Sequence, residues 1–172
     1  MGAGLGSSPV TEVLWHPMMK VTIYATGVEE DGRGAIGLVL KDEAGRDIRR
    51  LGKVFDNPET QPSTPDRAVF EVALGYRAIL LGLWRARKLG AKHVEVFCDL
   101  TRVVDQVNGL AQVAPEFIGS YLQVKALLNA FRSSSVQAVS PEQNREAISL
   151  ASTALNPIPP GVDDLPLWAS AR

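Results

Sequence analysis

The residue best placed to do chemistry is Asp99, which closes a short alternating run, His93 to Cys98, just before a helical stretch begins. Polar groups at the carboxyl end of a buried strand are where α/β folds build their sites. A carboxylate there can hold a hard cation or move a proton. It can equally cap the helix that follows. Other reactive types are sparse. Cys98 is the only cysteine and lies inside the apolar run, so it reads as a small buried hydrophobe and not as part of a disulfide framework or zinc site. His16 and His93 are the only histidines. Two groups of cations have the chemistry to follow a phosphate backbone: Arg46, Arg49, Arg50 and Lys53, then Arg85, Lys88 and Lys92. Each has a plainer reading, as guards of an edge strand in the first case and as complements to a helix dipole in the second.

The elements that position these residues follow from periodicity. Val21 to Gly27 reads as a strand and Val28 to Gly34 as a polar turn. Ala35 to Lys41 is a second strand, Asp42 to Gly45 a hairpin turn, and Arg46 to Phe55 a third strand. Asp56 to Ser63 is a loop, after which Thr64 and Pro65 supply a helix cap and first position. That helix runs to Leu89 and is apolar around nearly its whole circumference, so it must be covered on several sides. After Asp99 a two-turn helix ends at Asn108 and Gly109. Ala114 to Phe131 is helical by spacing, Val136 to Val139 is a last short strand, and Pro141 to Leu155 a last helix. Three regions result: a lead-in at 1–18, in which Trp15 and His16 are placed to pack on the domain edge, a domain at 19–155, and a proline-rich tail at 156–172. Prolines keep that tail from being helical, and Leu165, Leu167 and Trp168 are its docking candidates.

Composition bounds the function. A chain of 172 residues makes one domain with a real core. A net charge of -1 gives no global case for tight binding of a polyanion, which normally shows as a basic surface. No apolar run reaches the roughly 18 residues of a membrane span. The opening M-G-A-G-L-G-S-S-P-V lacks the features of a signal peptide or a myristoylation site. The expected address is therefore cytoplasmic or nuclear.

The order strand, strand, strand, helix, strand, helices, strand, helix describes a three-stranded antiparallel meander followed by two crossover strands. With it come I-Y-A-T-G at Ile23 to Gly27, G-L-V-L-K-D at Gly37 to Asp42, and Y-R-A-I-L-L-G-L at Tyr76 to Leu83. L-G-A-K-H-V-E-V-F-C-D at Leu89 to Asp99, V-V-D-Q-V-N-G at Val103 to Gly109 and P-E-Q-N-R-E-A at Pro141 to Ala147 complete the set. In this order and spacing the chain resembles the type 1 ribonuclease H-like family over residues 19–155. Similar degenerate domains occur in plant ariadne-type ubiquitin ligases and in retroelement polyproteins, and the wording I-Y-A-T-G-V-E-E and V-F-C-D looks more like the former. The resemblance implies an α/β fold with a five-stranded mixed sheet, three strands antiparallel and two parallel, flanked by helices. It also implies four carboxylates holding two magnesium ions for phosphodiester cleavage.

Carried over residue by residue, those four positions fall on Thr26, Gly75, Asp99 and Ile148, and only Asp99 is acidic. Glu71, one helical turn before Gly75, is the nearest substitute. The expectation is a domain that holds no metal or other cofactor and does not cut RNA–DNA hybrids, with magnesium relevant only to an active enzyme. It would serve instead as a protein-interaction or scaffolding module, its partner another protein or the rest of a larger polypeptide. The alternative is a non-catalytic binder of RNA or RNA–DNA hybrid that uses the two cation groups. Asp99, left alone, is expected to cap the helix that starts at Leu100.

Overall fold

The computed structural model describes residues 19–55 and 67–158. The elements are β1 (Lys20–Glu30), β2 (Arg33–Lys41), β3 (Asp47–Phe55), α1 (Arg67–Lys88), β4 (His93–Cys98), α2 (Thr101–Val107), a 3-10 turn (Pro115–Phe117), α3 (Ile118–Asn129), β5 (Ser133–Ala138) and α4 (Arg145–Leu155). The strands form one sheet in the order β3-β2-β1-β4-β5. The first three are antiparallel, β4 runs parallel to β1, and β5 parallel to β4. This is the expected mixed sheet, with the strand leading to Asp99 in its interior.

Period-two alternation decides which face each strand residue serves. Val21, Ile23 and Ala25 of β1 join Ile36, Leu38 and Leu40 of β2 in the main core, on the side covered by α1. On the other side α4 lies over β1, β2 and β3, and Val28, Ala35 and Val54 pack with Ala151, Ala154 and Leu155. Both helices approach the sheet through glycines. A Cβ on Gly37 would strike the Ala147 carbonyl, and one on its register partner Gly52 the Leu150 carbonyl. The core is closed around Tyr76, which is fully buried, donates its hydroxyl to Gln106 Oε1 at 2.9 Å and stacks on Phe117. Burial pushes the Tyr76 phenol up to about 12.

The boundaries differ from expectation where local signals were weak. The polar segment Val28 to Gly34 is mostly strand, and the turn shrinks to Asp31 and Gly32 with φ of 52° and 79°. Two consecutive positive φ values match the twist of a tight two-residue hairpin. The segment before α4 is a turn in which Ser140 N donates to Gln143 Oε1 and Gln143 N to Ser140 Oγ, so the helix begins only at Arg145. The stretch expected as one helix from Ala114 opens with the 3-10 turn and ends at Asn129. β5 starts at Ser133 because pairing with β4 recruits a serine run that has no apolar signal. The expectations for Trp15, His16, the Asp56 to Ser63 loop, the Thr64–Pro65 cap and the docking residues of the tail lie outside the described residues.

Candidate functional site

Ala25 of β1 and Cys98 of β4 are register partners, so Thr26, within β1, and Asp99, just past the end of β4, follow side by side. Alternation turns both toward the α4 side, where Tyr24 and Phe97 just before them stack at 5.3 Å. Asn144, at the start of α4, closes this spot. Its Nδ2 donates to the Ala25 carbonyl at 2.9 Å and to Asp99 Oδ1 at 2.6 Å. Asn144 and Thr26 are fully buried, and Asn144 Oδ1 and Thr26 Oγ1 find no partner among the described residues.

Gly75 lies behind this spot on α1. A Cβ there would stand 2.7 Å from Val103 Cγ2 and 2.9 Å from Leu100 Cδ1, so the helix rests directly on the residues that follow Asp99. Ile148 is one turn along α4 from Asn144, half-buried, with its N–H on the Asn144 carbonyl. Asp99 does not cap α2. The helix has Leu100 at its N-cap with no side-chain cap, and Asp99 contributes only its carbonyl, to Thr101 N. Its carboxylate instead takes the amide donor that the Ala25 carbonyl holds in place. Asn144 carried no sequence signal of its own. A single asparagine in a polar run does not disclose a bond to a strand 119 residues away.

A magnesium pair does not fit these residues. Hard divalent ions need carboxylate oxygens. Here there is a buried hydroxyl, a glycine with no room for a side chain, one carboxylate facing an N–H donor, and a hydrocarbon. Among the described residues no three His, Cys, Asp or Glu gather to hold a metal. Glu71 does line a cleft of about 200 Å³ with Asp99 and Arg102, but its carboxylate is engaged by Arg67 at 3.2 Å. Cys98 beneath the site is fully buried, which pushes its thiol up to about 12 and leaves no reactive thiolate.

The cations do not form one surface. Arg46 pairs with Asp42 at 2.8 Å, and Arg50 with Asp47 at 2.8 Å and Glu146 at 3.0 Å. Lys41 shares both of those acids. The hydrogen bond to Asp47 raises the Lys41 amine and the Arg50 guanidinium, and the same bonds hold the Asp47 carboxyl below its usual range. Arg49 and Lys53 project on the opposite side of β3, toward the flank of α1 that carries Arg85 and Lys88, whereas Lys92 is exposed in the turn before β4.

A family model described as reverse transcriptase-like matches residues 24–154. The chain belongs to the reverse transcriptase-like family. It is 35% identical over 82 residues to the bifunctional protein Rv2228c of Mycobacterium tuberculosis, a stretch that covers 47% of this chain and 22% of that relative. The N-terminal RNase H domain of Rv2228c superimposes with a TM-score of 0.68 at 27% identity, covering 80% of this chain and 94% of that one. The RNase H1 of the halophilic archaeon Halobacterium salinarum NRC-1 gives 0.69 at 22% identity over 81% of this chain and 99% of that one. The ribonuclease H fold expected from the sequence is the fold of this reverse transcriptase-like domain.

Proposed function

We propose that this reverse transcriptase-like domain does not cleave nucleic acid and serves as a docking or scaffolding module for another protein or for the rest of a longer polypeptide. The observation that carries this reading is the state of the strand-end site. Asp99 is the one carboxylate left among Thr26, Gly75, Asp99 and Ile148, and it is tied to the Asn144 amide at 2.6 Å. One carboxylate cannot neutralise two divalent ions, and metal-assisted phosphodiester cleavage depends on both. Apolar side chains at the surface support a protein partner: Leu110 is 77%, Leu122 58% and Ile118 46% exposed, the last two on α3, whose one charged residue is Lys125. Among the described residues no helix is long and apolar enough to cross a membrane, and the reading places the domain in the cytoplasm or nucleus.

The test is cleavage of an RNA–DNA hybrid in millimolar magnesium, beside thermal unfolding with and without the ion. The parent is expected to show neither cleavage nor a magnesium-dependent melting shift. A Thr26→Asp, Ile148→Asp double variant, which leaves the tightly packed Gly75 untouched, should melt lower than the parent in the absence of metal because like charges crowd Asp99. Magnesium should then raise its melting temperature by mass action. Cleavage by the unmodified chain, abolished by Asp99→Asn, would overturn the reading.

A further inference from the structure

The flank between α1 and the edge strand β3 has a different chemistry from the rest of the surface. α1 descends the sheet with Leu74 against Gly34 and Gly82 against Ile23 and Leu38. The β3 residues in register with Gly34 and Leu38 are Phe55 and Leu51. The outward stripe of α1 at helical spacing, Arg77, Trp84 and Lys88, therefore runs alongside β3 from Phe55 toward Arg49. The Arg77 guanidinium lies 4.8 Å from the Phe55 ring centroid, which fixes the stripe on this side.

Two observations point to a ligand. First, all three described cation–π pairs stand here: Arg77 and Lys53 on Phe55, and Lys88 on Trp84 at 3.9 Å. Trp84 is 50% exposed, although a large aromatic is normally buried. Second, among the described residues these cations lack acids. No Asp or Glu occurs from Ile48 to Phe55 or from Val72 to Leu89. Among the described residues none of Arg49, Lys53, Arg77 and Lys88 has an ion-pair partner, whereas Arg46, Arg50 and Lys41 are all paired. The half-buried Arg85 on the same helix also has its Nε buried without an acceptor among the described residues.

We propose that this flank binds single-stranded nucleic acid, with Arg49, Lys53, Arg77 and Lys88 along the phosphates and an unpaired base stacked on Trp84. Unpaired cations attract any polyanion, but an exposed indole among them selects one with accessible ring faces. Single strands offer those faces and duplexes do not. The near-neutral total charge does not oppose this, because the described acids Asp42, Asp47 and Glu146 are taken by Arg46, Arg50 and Lys41, and exposed charges further apart than roughly 10 Å are screened from one another. The inference goes beyond the docking reading and needs neither a live nor a dead metal site.

The experiment is fluorescence anisotropy of a labelled oligo(dT) of about 12 nucleotides, a length within the site sizes of single-strand binders. It is run at low and moderate salt against a duplex of equal length, polyphosphate and polyglutamate. Oligo(dT) should bind most tightly, and more weakly as salt rises. Trp84→Ala should weaken it about tenfold and Trp84→Phe much less. Lys53→Gln with Lys88→Gln should weaken binding and flatten the salt dependence, while Arg50→Gln on the opposite side leaves it unchanged. Circular dichroism and melting of each variant separate lost binding from lost fold. No binding at low salt overturns the proposal. So does equal binding of polyphosphate or polyglutamate with no effect of Trp84→Ala, which would mark a surface for acidic protein or for any polyanion. Hybrid cleavage by the parent would sink the docking reading and leave this flank standing, so the two can fail separately.

Discussion

The two sides of strand β3 receive similar cations and treat them in opposite ways. On the α4 side Arg50 is locked between Asp47 and Glu146, and Lys41 bridges the same acids from β2. On the α1 side Lys53 lies over the Phe55 ring, and among the described residues neither it nor Arg49 has an ion-pair partner. The difference teaches that charge counted along a sequence says little about charge presented to a partner. Alternation assigns neighbouring residues to opposite faces, and the acids that neutralise one face come from β3 itself, at Asp47, and from α4, at Glu146. The α4 side is closed by fit and pairing, and among the described residues the cations of the α1–β3 flank meet no acid.

The largest expected effect comes from breaking the fit on the closed side. Gly37→Val drives a side chain into the Ala147 carbonyl, a backbone atom that cannot rotate away. We expect destabilisation on the order of 3 kcal/mol in urea unfolding, with α4 detached from the sheet. A change below roughly 1 kcal/mol, at the low end of overpacking costs, would show that α4 is not held by close approach.

A smaller effect is expected from Asn144→Ala, which leaves the Asp99 carboxylate and the Ala25 carbonyl without their shared donor. The cost should be roughly 2 kcal/mol, the usual penalty for orphaned buried groups. Equal stability of parent and variant would mean that the strand ends need no polar closure.

The smallest effect, and the sharpest for the comparison, belongs to Glu146→Gln. Exposed ion pairs contribute less than about 1 kcal/mol, so melting should barely move. Arg50 and Lys41 would keep Asp47, whose carboxyl is held low by hydrogen bonds from Lys41 and then Arg50. Because that folded-state pKa is depressed, the contribution of Asp47 is present above the ordinary carboxylate range and is lost as pH falls through the lower value, in parent and variant alike. Anisotropy at low salt should meanwhile detect added oligonucleotide binding that Trp84→Ala does not remove. If Glu146→Gln adds no binding, neutralisation is not what distinguishes the two sides.

How much of this was legible in the residues varies by scale. The alternation of Val21 to Ala25 and His93 to Cys98, the all-round apolar helix ending at Gly90, and the strand-helix order determined the mixed sheet, since period and sequence order restrict topology to few choices. The carry-over of four carboxylate positions to Thr26, Gly75, Asp99 and Ile148 rested on the family resemblance, and the fold sets Thr26 beside Asp99. Burial partners were another matter. The Asp31–Gly32 hairpin and the serine-rich β5 were hidden because pairing, not side-chain pattern, makes them strands. Asp99 looked like a helix cap because capping is a local interaction, and local interactions are all that spacing reveals. Its actual partner, Asn144, stands 45 residues away and is brought there only when α4 settles on Gly37 and Gly52. The split of the cations likewise waited for the fold: register decided which side chains face α1, and only packing decided which of them meet an acid.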